Sequence, residues 1–371
     1  MKYYIIAGER SGDLHASNLI KQLHRQDPDA QIRGWGGDMM QDAGMELVRH
    51  YQEMAFMGFA EVFKSLRKIL GFLSEAKSDI KRYQPDVVIL VDYAGFNMRV
   101  ARFAKKQGIK VFYYISPKIW AWNQGRVHGI KKVVDRMFVI MPFEEDFYGR
   151  FDYKVDYVGN PVNDSVTDHV AIADFREKNR IQNNKPIIAL LPGSRRQEIE
   201  NMLDVMLSVL PSFRDYQFVV AGVSNFSKEY YEQYNKDSNI KIVYDQTYDL
   251  LSCAKAALVT SGTATLETAL FGVPQVVCYK TSSISYAIAK RVIKVPYISL
   301  VNLIANKAVV TELIQEDFTA KQIVAELKKV LFDTYYAKKQ QEGYALVRQK
   351  IGNFRTAERA AELMVKYLKE A

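Results

Sequence analysis

Two segments in the second half of this 371-residue chain place small residues between an apolar run and a helical pattern. The first is AALVTSGTATLETALFGVP, in which the apolar run ends at Val259 and the helical pattern begins at Ala264. A strand that leads through such a turn into a helix directs free N–H groups and the positive end of the helix dipole at one point, where a phosphate fits. The candidate phosphate ligands are the turn residues Ser261, Gly262 and Thr263.

Glu267 lies one turn into the helix that follows this turn. Its carboxylate would repel a phosphate but could accept hydrogen bonds from the two hydroxyls of a ribose. The segment therefore indicates a nucleotide whose phosphates bind the turn and whose sugar binds Glu267. An ordinary strand-to-helix turn with a solvated glutamate is the alternative, because short glycine turns have many false positives.

The second segment, LPGSRRQEIE, follows the apolar run Ile187 to Leu191 and has Arg195 at its turn. The planar guanidinium of arginine can hold a diphosphate through two parallel hydrogen bonds. We expect both turns in one domain, where they would suit a nucleotide-sugar, with the diphosphate on Arg195 and free N–H groups.

A carboxylate, Asp92, ends the apolar run Val87 to Val91 in the first half of the chain. Ligands of open α/β sheets bind beyond the carboxyl ends of the strands. A half-buried aspartate there could have a raised pKa and take a proton from a hydroxyl group. The alternative is a plain N-cap, from Asp92 or Asn97, for the next helix.

The first strand ends in GERSGD, which spans Gly8 to Asp13. Small residues at this turn, Ser11 and Gly12 among them, would let the backbone approach a ligand in a cleft between domains. The segment lacks the glycine spacing of a dinucleotide fingerprint and the lysine of a P-loop. A plain helix N-cap at Ser11 or Asp13 is the alternative.

The segment from Phe59 to Leu73 has apolar residues at helical spacing on one face and basic residues on its flank. A basic amphipathic helix can lie in the interface of an anionic membrane, and a helix that faces the core is the alternative. The candidate membrane or acyl-chain contacts are Phe59, Val62, Phe63, Leu66, Ile69 and Leu70.

The amino-acid composition restricts the classes of protein to which the chain can belong. Hydrophobic residues make up 48% and charged residues 25%, as in a soluble globular protein. The net charge of +9 favours anionic partners, but the basic residues are dispersed, so nucleic acid ranks last. The two cysteines lie in apolar segments and indicate free thiols in a reducing compartment. We expect neither a signal peptide nor a spanning helix.

Eleven short apolar runs alternate with helical patterns along the chain, which predicts parallel sheets covered by helices on both faces. The polar segment from Asn163 to Asn184 lacks a strong strand and indicates a domain boundary. We therefore expect an α/β protein with two Rossmann-like, doubly wound domains, residues 1–164 and 165–349, that face each other across a cleft. The last helix, within residues 350–371, would pack back on the first domain or on a partner.

Several motifs resemble those of the lipid-A-disaccharide synthases, a family of inverting glycosyltransferases with two Rossmann-like domains, the GT-B arrangement. The resemblance covers nearly the whole chain in the same order. The motifs are AGERSGD (Ala7 to Asp13), MGFAEV (Met57 to Val62), VDYAGFN (Val91 to Asn97), SPKIWAW (Ser116 to Trp122), LPGSR (Leu191 to Arg195), SGTATLE (Ser261 to Glu267) and SLVNLIA (Ser299 to Ala305).

The resemblance implies transfer of a diacylglucosamine unit from UDP to 2,3-diacylglucosamine 1-phosphate, which gives a β-1,6-linked disaccharide. It implies Asp92 as the general base on the acceptor 6-hydroxyl and Arg195 as a ligand of the UDP diphosphate. It adds Glu9 and Asn302 as further cleft residues. No DxD motif or His/Cys/carboxylate cluster is evident, so we expect no metal and no cofactor besides the UDP-sugar donor.

The resemblance also implies a peripheral protein on the cytoplasmic face of the bacterial inner membrane, with the amphipathic helix touching the membrane or acyl chains. A homodimer is a further expectation. One alternative is another GT-B enzyme on a soluble substrate, such as a UDP-N-acetylglucosamine 2-epimerase. The other is a catalytically silent UDP-binding or membrane-peripheral scaffold.

Overall fold

A computed structural model describes residues 1–55, 62–234 and 240–370 of the chain. These residues form two compact units. Unit 1 comprises Met1–Pro161 and Asn353–Ala371, and unit 2 comprises Val162–Gly352. The chain therefore leaves unit 1 once and returns to it for its last helix.

Unit 1 contains a parallel sheet of seven strands among the described residues, in the order β3-β2-β1-β4-β5-β6-β7. The strands are β1 (Lys2–Ala7), β2 (Gln31–Gly36), β3 (Glu46–His50), β4 (Val87–Val91), β5 (Lys110–Tyr114), β6 (Arg136–Val139) and β7 (Asp156–Tyr157). Its helices are α1 (Arg10–Gln26), α2 (Asp38–Asp42), α3 (Gln52–Ala55), α4 (Val62–Tyr83), α5 (Ala94–Lys106), α6 (Ile119–Trp122), α7 (Val127–Lys131) and α8 (Phe143–Gly149). The helix α9 (Pro161–Asp168) begins at Pro161, where the chain leaves unit 1, and its other residues belong to unit 2.

Unit 2 contains a parallel sheet of six strands among its described residues, in the order β10-β9-β8-β11-β12-β13. The strands are β8 (Ile187–Leu191), β9 (Gln217–Gly222), β10 (Ile240–Tyr244), β11 (Ala254–Thr260), β12 (Gln275–Tyr279) and β13 (Glu312–Ile314). The helices are α10 (Phe175–Lys178), α11 (Arg196–Leu207), α12 (Lys228–Glu232), α13 (Thr247–Cys253), α14 (Thr263–Leu270), α15 (Ser283–Val292), α16 (Leu300–Ala305), α17 (Ala320–Phe332) and α18 (Thr334–Ile351). The final helix, α19 (Thr356–Lys369), belongs to unit 1.

The central strands are buried on both faces, which is why they read as continuous apolar runs. All residues of β4 and β8 are buried. In unit 1, α1 and α19 cover one face, where Leu19 and Met364 join one apolar core. In unit 2, α11 and α17 cover one face of the sheet, and α13 lies on the other. The expected doubly wound α/β architecture is confirmed in each unit.

Two edge strands were not expected from the sequence. The side chains of β3 (ELVRH) are all exposed or half-buried, so the segment lacks the apolar run that predicts a buried strand. The strand β13 has only three residues and is too short to give a pattern. Because both lie at sheet edges, their omission leaves the strand order around the centre of each sheet unchanged.

Part of the expected amphipathic helix lies outside the described residues. Phe59 is not described, and neither are the side chains of Val62, Phe63 and Leu66 within α4. Of the remaining candidate contacts, Ile69 is half-buried and Leu70 is 54% exposed. Across the described ranges, no helix has both the length and the apolar character that crossing a bilayer requires.

Candidate active site

Each sheet reverses its winding direction at one point, and the candidate residues lie beside that point. In unit 1 the reversal falls between β1 and β4, which are followed by Glu9 and Asp92. In unit 2 it falls between β8 and β11, which are followed by the loops that carry Arg195 and Ser261. Ligands of open α/β sheets bind outside the carboxyl ends of the strands at such switch points.

Asp92 and Tyr93 have unusual backbone conformations. Their φ angles are +45° and +46°, in the left-handed region that residues with a side chain seldom adopt. Each such residue costs about 1–3 kcal/mol, and conformations of this kind cluster at functional sites. Neither residue was expected to be strained, because no sequence pattern marks this conformation in a non-glycine residue.

Side chains from two neighbouring elements hold this turn. The backbone oxygen of Asp92 accepts hydrogen bonds from Asn97 Nδ2, at 2.9 Å, and from the Tyr113 hydroxyl. Asn97 Nδ2 also donates to the Val91 oxygen at 3.2 Å. The alternative of a plain N-cap is wrong, because no side chain caps α5 and Asn97 instead binds the carbonyls that precede that helix.

The Asp92 carboxyl group has a raised pKa. Burial is the largest cause, and the nearby Glu9 carboxylate raises the pKa further, whereas Lys118 lowers it. A carboxylate with a raised pKa is a stronger base than an ordinary aspartate once it is ionised. The structure therefore places Glu9 beside Asp92, where it acts on that group electrostatically.

Gly8 packs against the aromatic ring of Tyr93. A Cβ atom at Gly8 would lie 2.3 Å from the ring carbons Cγ and Cδ1, so no larger residue fits there. The Tyr93 ring therefore packs on the backbone that follows β1, and this contact connects that segment to the turn after β4. Gly12 is buried in α1, where a Cβ atom would lie 3.2 Å from the Ala7 Cβ.

The alternative of a plain helix N-cap at Ser11 or Asp13 is also wrong. Residue Glu9 occupies the N-cap of α1 without a capping side-chain bond, and the Ser11 hydroxyl donates to Glu9 Oε1 at 3.2 Å. The buried Asp13 carboxylate instead accepts from the backbone N–H groups of Gly37, at 2.8 Å, and Met40, at 3.1 Å. Asp13 therefore stabilises the start of α2.

A buried carboxyl group in unit 1 was missed by the sequence analysis. Glu144, in α8, accepts hydrogen bonds from the Ser116 hydroxyl and from Met141 N at 2.9 Å. Burial raises its pKa to about 7. It fixes the SPKIWAW loop to the segment after β6, and a glutamate in a polar stretch gives no sequence signal of such burial.

Arg195 lies at the N-terminus of α11, and its side chain is 83% exposed. The Glu198 carboxylate occupies the same helix end. It accepts from Ser194 N at 3.1 Å and Arg195 N at 3.2 Å, and from Arg195 Nη1 at 3.0 Å. An anionic group of the chain itself is therefore bound where the sequence predicts a phosphate.

The Ser261 to Thr263 turn leads into α14. Gly262 has φ +137°, a conformation that only glycine adopts readily. The Ser261 hydroxyl donates to the Ile298 oxygen at 2.9 Å, and Thr263 is exposed as the first residue of the helix. The turn thus keeps its close-approach geometry while the Ser261 side chain is engaged within unit 2.

Glu267 is half-buried, and the Tyr248 hydroxyl donates to its Oε1 atom at 3.1 Å. Burial raises the pKa of Glu267, and the bond from Tyr248 lowers it. A solvated glutamate, the alternative interpretation, does not describe this position. Tyr248 was missed because it follows β10, far from Glu267 in sequence.

Asn302 is 1% exposed, and its amide group is fully engaged. Its Nδ2 atom donates to Val310 O and to Glu312 Oε1, both at 2.9 Å. Its Oδ1 atom accepts from Val309 N at 2.8 Å and Val310 N at 3.0 Å. Asn302 therefore holds the turn before β13, beside a cavity of about 640 Å³ whose lining includes neither Arg195 nor Glu267.

Metal-ligating side chains do not gather in the parts of the chain that the structure describes: no group of three or more His, Cys, Asp or Glu residues there could hold a metal ion.

Comparison with known proteins gives the family. The family model described as lipid-A-disaccharide synthetase matches residues 3–366. A lipid-A-disaccharide synthase of Geobacter metallireducens is 39% identical over 370 residues, covering 98% of this chain and 96% of its own length. The enzyme of that name from Syntrophus aciditrophicus is 38% identical over 374 residues, covering 99% of this chain and 98% of its own.

Solved structures with the same fold are more distant in sequence. A UDP-GlcNAc 2-epimerase from Neisseria meningitidis, bound to UDP-GlcNAc, has a TM-score of 0.62 at 14% identity, covering all of both chains. The calicheamicin glycosyltransferase CalG4 has a TM-score of 0.62 at 14% identity, covering all of this chain and 98% of its own. These likenesses show the GT-B type of fold, and the sequence relatives decide the family. The chain belongs to the lipid-A-disaccharide synthase family and is a glycosyltransferase.

Proposed function

We propose that the protein transfers the diacylglucosamine unit of UDP-2,3-diacylglucosamine to the 6-hydroxyl of 2,3-diacylglucosamine 1-phosphate. The products are the β-1,6-linked disaccharide 1-phosphate and UDP, with inversion at the transferred carbon. Family membership supports the reaction class. The observation that carries the chemistry is Asp92, a carboxylate with a raised pKa on a strained turn at the switch point of unit 1.

Asp92 acts as the general base in this proposal. Its carboxylate takes the proton of the acceptor 6-hydroxyl as that oxygen attacks the anomeric carbon of the donor. The bond from this carbon to the UDP oxygen breaks, and UDP leaves with the electron pair. A single displacement inverts the carbon and requires no covalent intermediate on the protein.

The leaving diphosphate binds at the N-terminus of α11. UDP would replace the Glu198 carboxylate on Ser194 N and Arg195 N, and the exposed Arg195 side chain would hold it bidentately. Preorganised donors of this kind stabilise the charge that develops on the leaving group. The turn at Gly262 and Thr263 would provide further N–H groups.

The ribose of UDP binds the Glu267 carboxylate, which Tyr248 holds in place. Because Asn302 is fully engaged by its own turn, we assign it to positioning the 309–312 segment and not to direct substrate binding. The reaction as proposed uses no metal and no cofactor beyond the UDP-sugar.

We further propose that the protein acts as a peripheral protein on the cytoplasmic face of the inner membrane, where α4 touches the membrane or acyl chains. Exposed Leu70 supports this role for the described part of the helix. We also propose that the protein forms a homodimer.

The test is incubation with both acylated substrates, followed by detection of UDP and by NMR assignment of the new glycosidic bond. The proposal expects one UDP per disaccharide and a β-1,6 linkage. UDP-GlcNAc alone serves as the control: its conversion to the 2-epimer, with no disaccharide from the acylated pair, would contradict the proposed reaction.

A further inference from the structure

Helix α15 has an exposed apolar face. Although it spans ten residues, none of them is buried. Ile284, Ile288 and Val292 recur every four residues and are 76%, 59% and 42% exposed, and Ile293 continues the surface. Side chains four apart lie on the same face of a helix, so these residues form one stripe, called here the α15 stripe.

Helix α15 carries cations and no carboxylate, although the loop before it is bonded at Thr281 to Gln315, which the exposed Glu316 and Asp317 follow. No acidic residue occurs between Glu267 and Glu312, an interval that includes α15 and both of its flanking loops. The basic residues of this interval are Lys280, Lys290, Arg291, Lys294 and Lys307. An exposed apolar stripe on a helix with cations at its C-terminal end and no carboxylate of its own is the composition of a helix that lies in an anionic lipid interface.

The position of α15 in unit 2 agrees with a lipid neighbour. The helix follows β12, which pairs in parallel with β11, so it begins at the same edge of the sheet as the Ser261 to Thr263 turn. A substrate bound at this turn with acyl chains on its sugar would need a lipid phase near that edge.

We propose that the α15 stripe and its basic border bind an anionic lipid surface, as a second lipid contact of the chain besides α4. The apolar side chains enter the interface, and Lys290, Arg291 and Lys294 pair with lipid phosphates. The need for a lipid phase rests on the proposed function, but the binding itself is measured without turnover, so the two can fail separately.

The experiment is cosedimentation of the full-length protein with vesicles of phosphatidylethanolamine and phosphatidylglycerol, and with neutral phosphatidylcholine vesicles. Two variants are compared with the wild type: Ile284→Ser with Ile288→Ser, and Lys290→Gln with Arg291→Gln. Each should lower partition onto anionic vesicles about tenfold, because apolar burial and each basic residue near the surface both contribute. The charge variant should leave partition onto neutral vesicles unchanged.

A matched control removes exposed apolar side chains of unit 2 that lie outside α15, through Val170→Ser with Phe332→Ser, at positions 86% and 63% exposed. This control should retain wild-type partition. Equal losses in the control and in the Ile284 and Ile288 variant would overturn the proposal, as would unchanged partition in both α15 variants. UDP affinity and the melting temperature confirm that each variant is folded.

A second measurement reports directly whether α15 contacts the lipid surface. An environment-sensitive fluorophore on Ile288→Cys, with Cys253 replaced by serine, should shift to the blue when anionic vesicles are added, whereas the same probe on Val170→Cys should not. If the Ile284 and Ile288 variant instead changes the molar mass in light scattering and the probe does not respond to vesicles, the stripe binds a second copy and the lipid proposal fails.

Discussion

Asp92 depends on residues that do not themselves react. Asn97 and Tyr113 donate to the backbone oxygen of Asp92, and these bonds oppose the cost of two successive left-handed residues. The position of the carboxylate is therefore set by a helix residue and a residue of the neighbouring strand.

We predict that Tyr113→Phe lowers kcat about tenfold while UDP affinity stays unchanged, because a loosened turn misplaces the base. The matched control is Tyr153→Phe, in which a buried tyrosine of the same unit also loses a hydroxyl bond to a backbone oxygen, that of Val134 at 3.1 Å. Both variants should lose about 1 kcal/mol of stability. Equal kcat values in the two variants, measured by initial rates, would contradict a positioning role for Tyr113.

The pH dependence of transfer follows from the charges around Asp92. A base must be ionised, so kcat/KM falls as the pH drops through the pKa of Asp92, which burial and Glu9 raise and Lys118 lowers. Removing the like charge in Glu9→Gln should move this acid limb to lower pH. Removing the cation in Lys118→Gln should move it to higher pH. If both substitutions shift the acid limb of kcat/KM in the same direction, a group other than Asp92 controls that limb.

The residue types of the candidate site could be predicted from sequence, but their partners could not. Asp92, Arg195 and Glu267 each follow a recognisable strand and turn. Their bonded neighbours are Tyr113, Tyr248 and Glu198, respectively at Asp92, Glu267 and Arg195, and these contacts depend on strand order or on a helix end. Asn302 was expected in the cleft, and only its hydrogen bonds reveal that it supports a turn.

At the scale of elements, the N-terminus of α11 already binds a carboxylate from the same helix. The Glu198 carboxylate binds the amide groups that would receive the diphosphate, so the free protein keeps this helix end satisfied. In the proposed reaction, UDP displaces that carboxylate before it can use the same donors.

We predict that Glu198→Gln tightens UDP binding several-fold, since a neutral side chain competes less for these donors. The same change should destabilise unit 2 by about 0.3–1 kcal/mol, because the amide oxygen can still accept these bonds but lacks the charge that the helix dipole favours. Calorimetric titration with UDP and thermal melting measure the two effects. Glu200→Gln, in a surface ion pair with Arg196, is the control and should change neither value. Weaker UDP binding in Glu198→Gln would contradict displacement.

The buried strands could be predicted because apolar runs of strand length, bounded by turns, mark strands with helices on both faces. The edge strands could not, since β3 has no buried residue and β13 pairs on only one side. The helix α15 shows a further limit: its periodic isoleucines resemble those of a core helix, and only the structure reveals that they are exposed.

At the scale of the whole molecule, the two ends of the chain build one unit. The last helix, α19, packs on α1 and shares its apolar core, so unit 1 is complete only after unit 2 has been synthesised. Unit 1 also carries Asp92, the proposed base, so the integrity of the unit around this residue depends on the C-terminal helix.

We predict that Met364→Ala lowers the free energy of unfolding of unit 1 by about 2–5 kcal/mol, the usual cost of emptying a fully buried site. Glu362→Ala, on the exposed face of the same helix, should change it by less than about 0.5 kcal/mol. Urea unfolding followed by hydrogen exchange of the β1 and β4 amides separates unit 1 from unit 2. Equal stability of the two variants would show that α19 adds little to the core.

The most direct test of the central claim is the single-turnover rate of Asp92→Asn, measured beside its UDP affinity. A general base contributes about 10²–10⁴-fold to the rate, so transfer should fall by that factor while UDP binds as tightly as before, because its proposed ligands lie in unit 2. Transfer at the wild-type rate by this variant would contradict the assignment of Asp92 as the base.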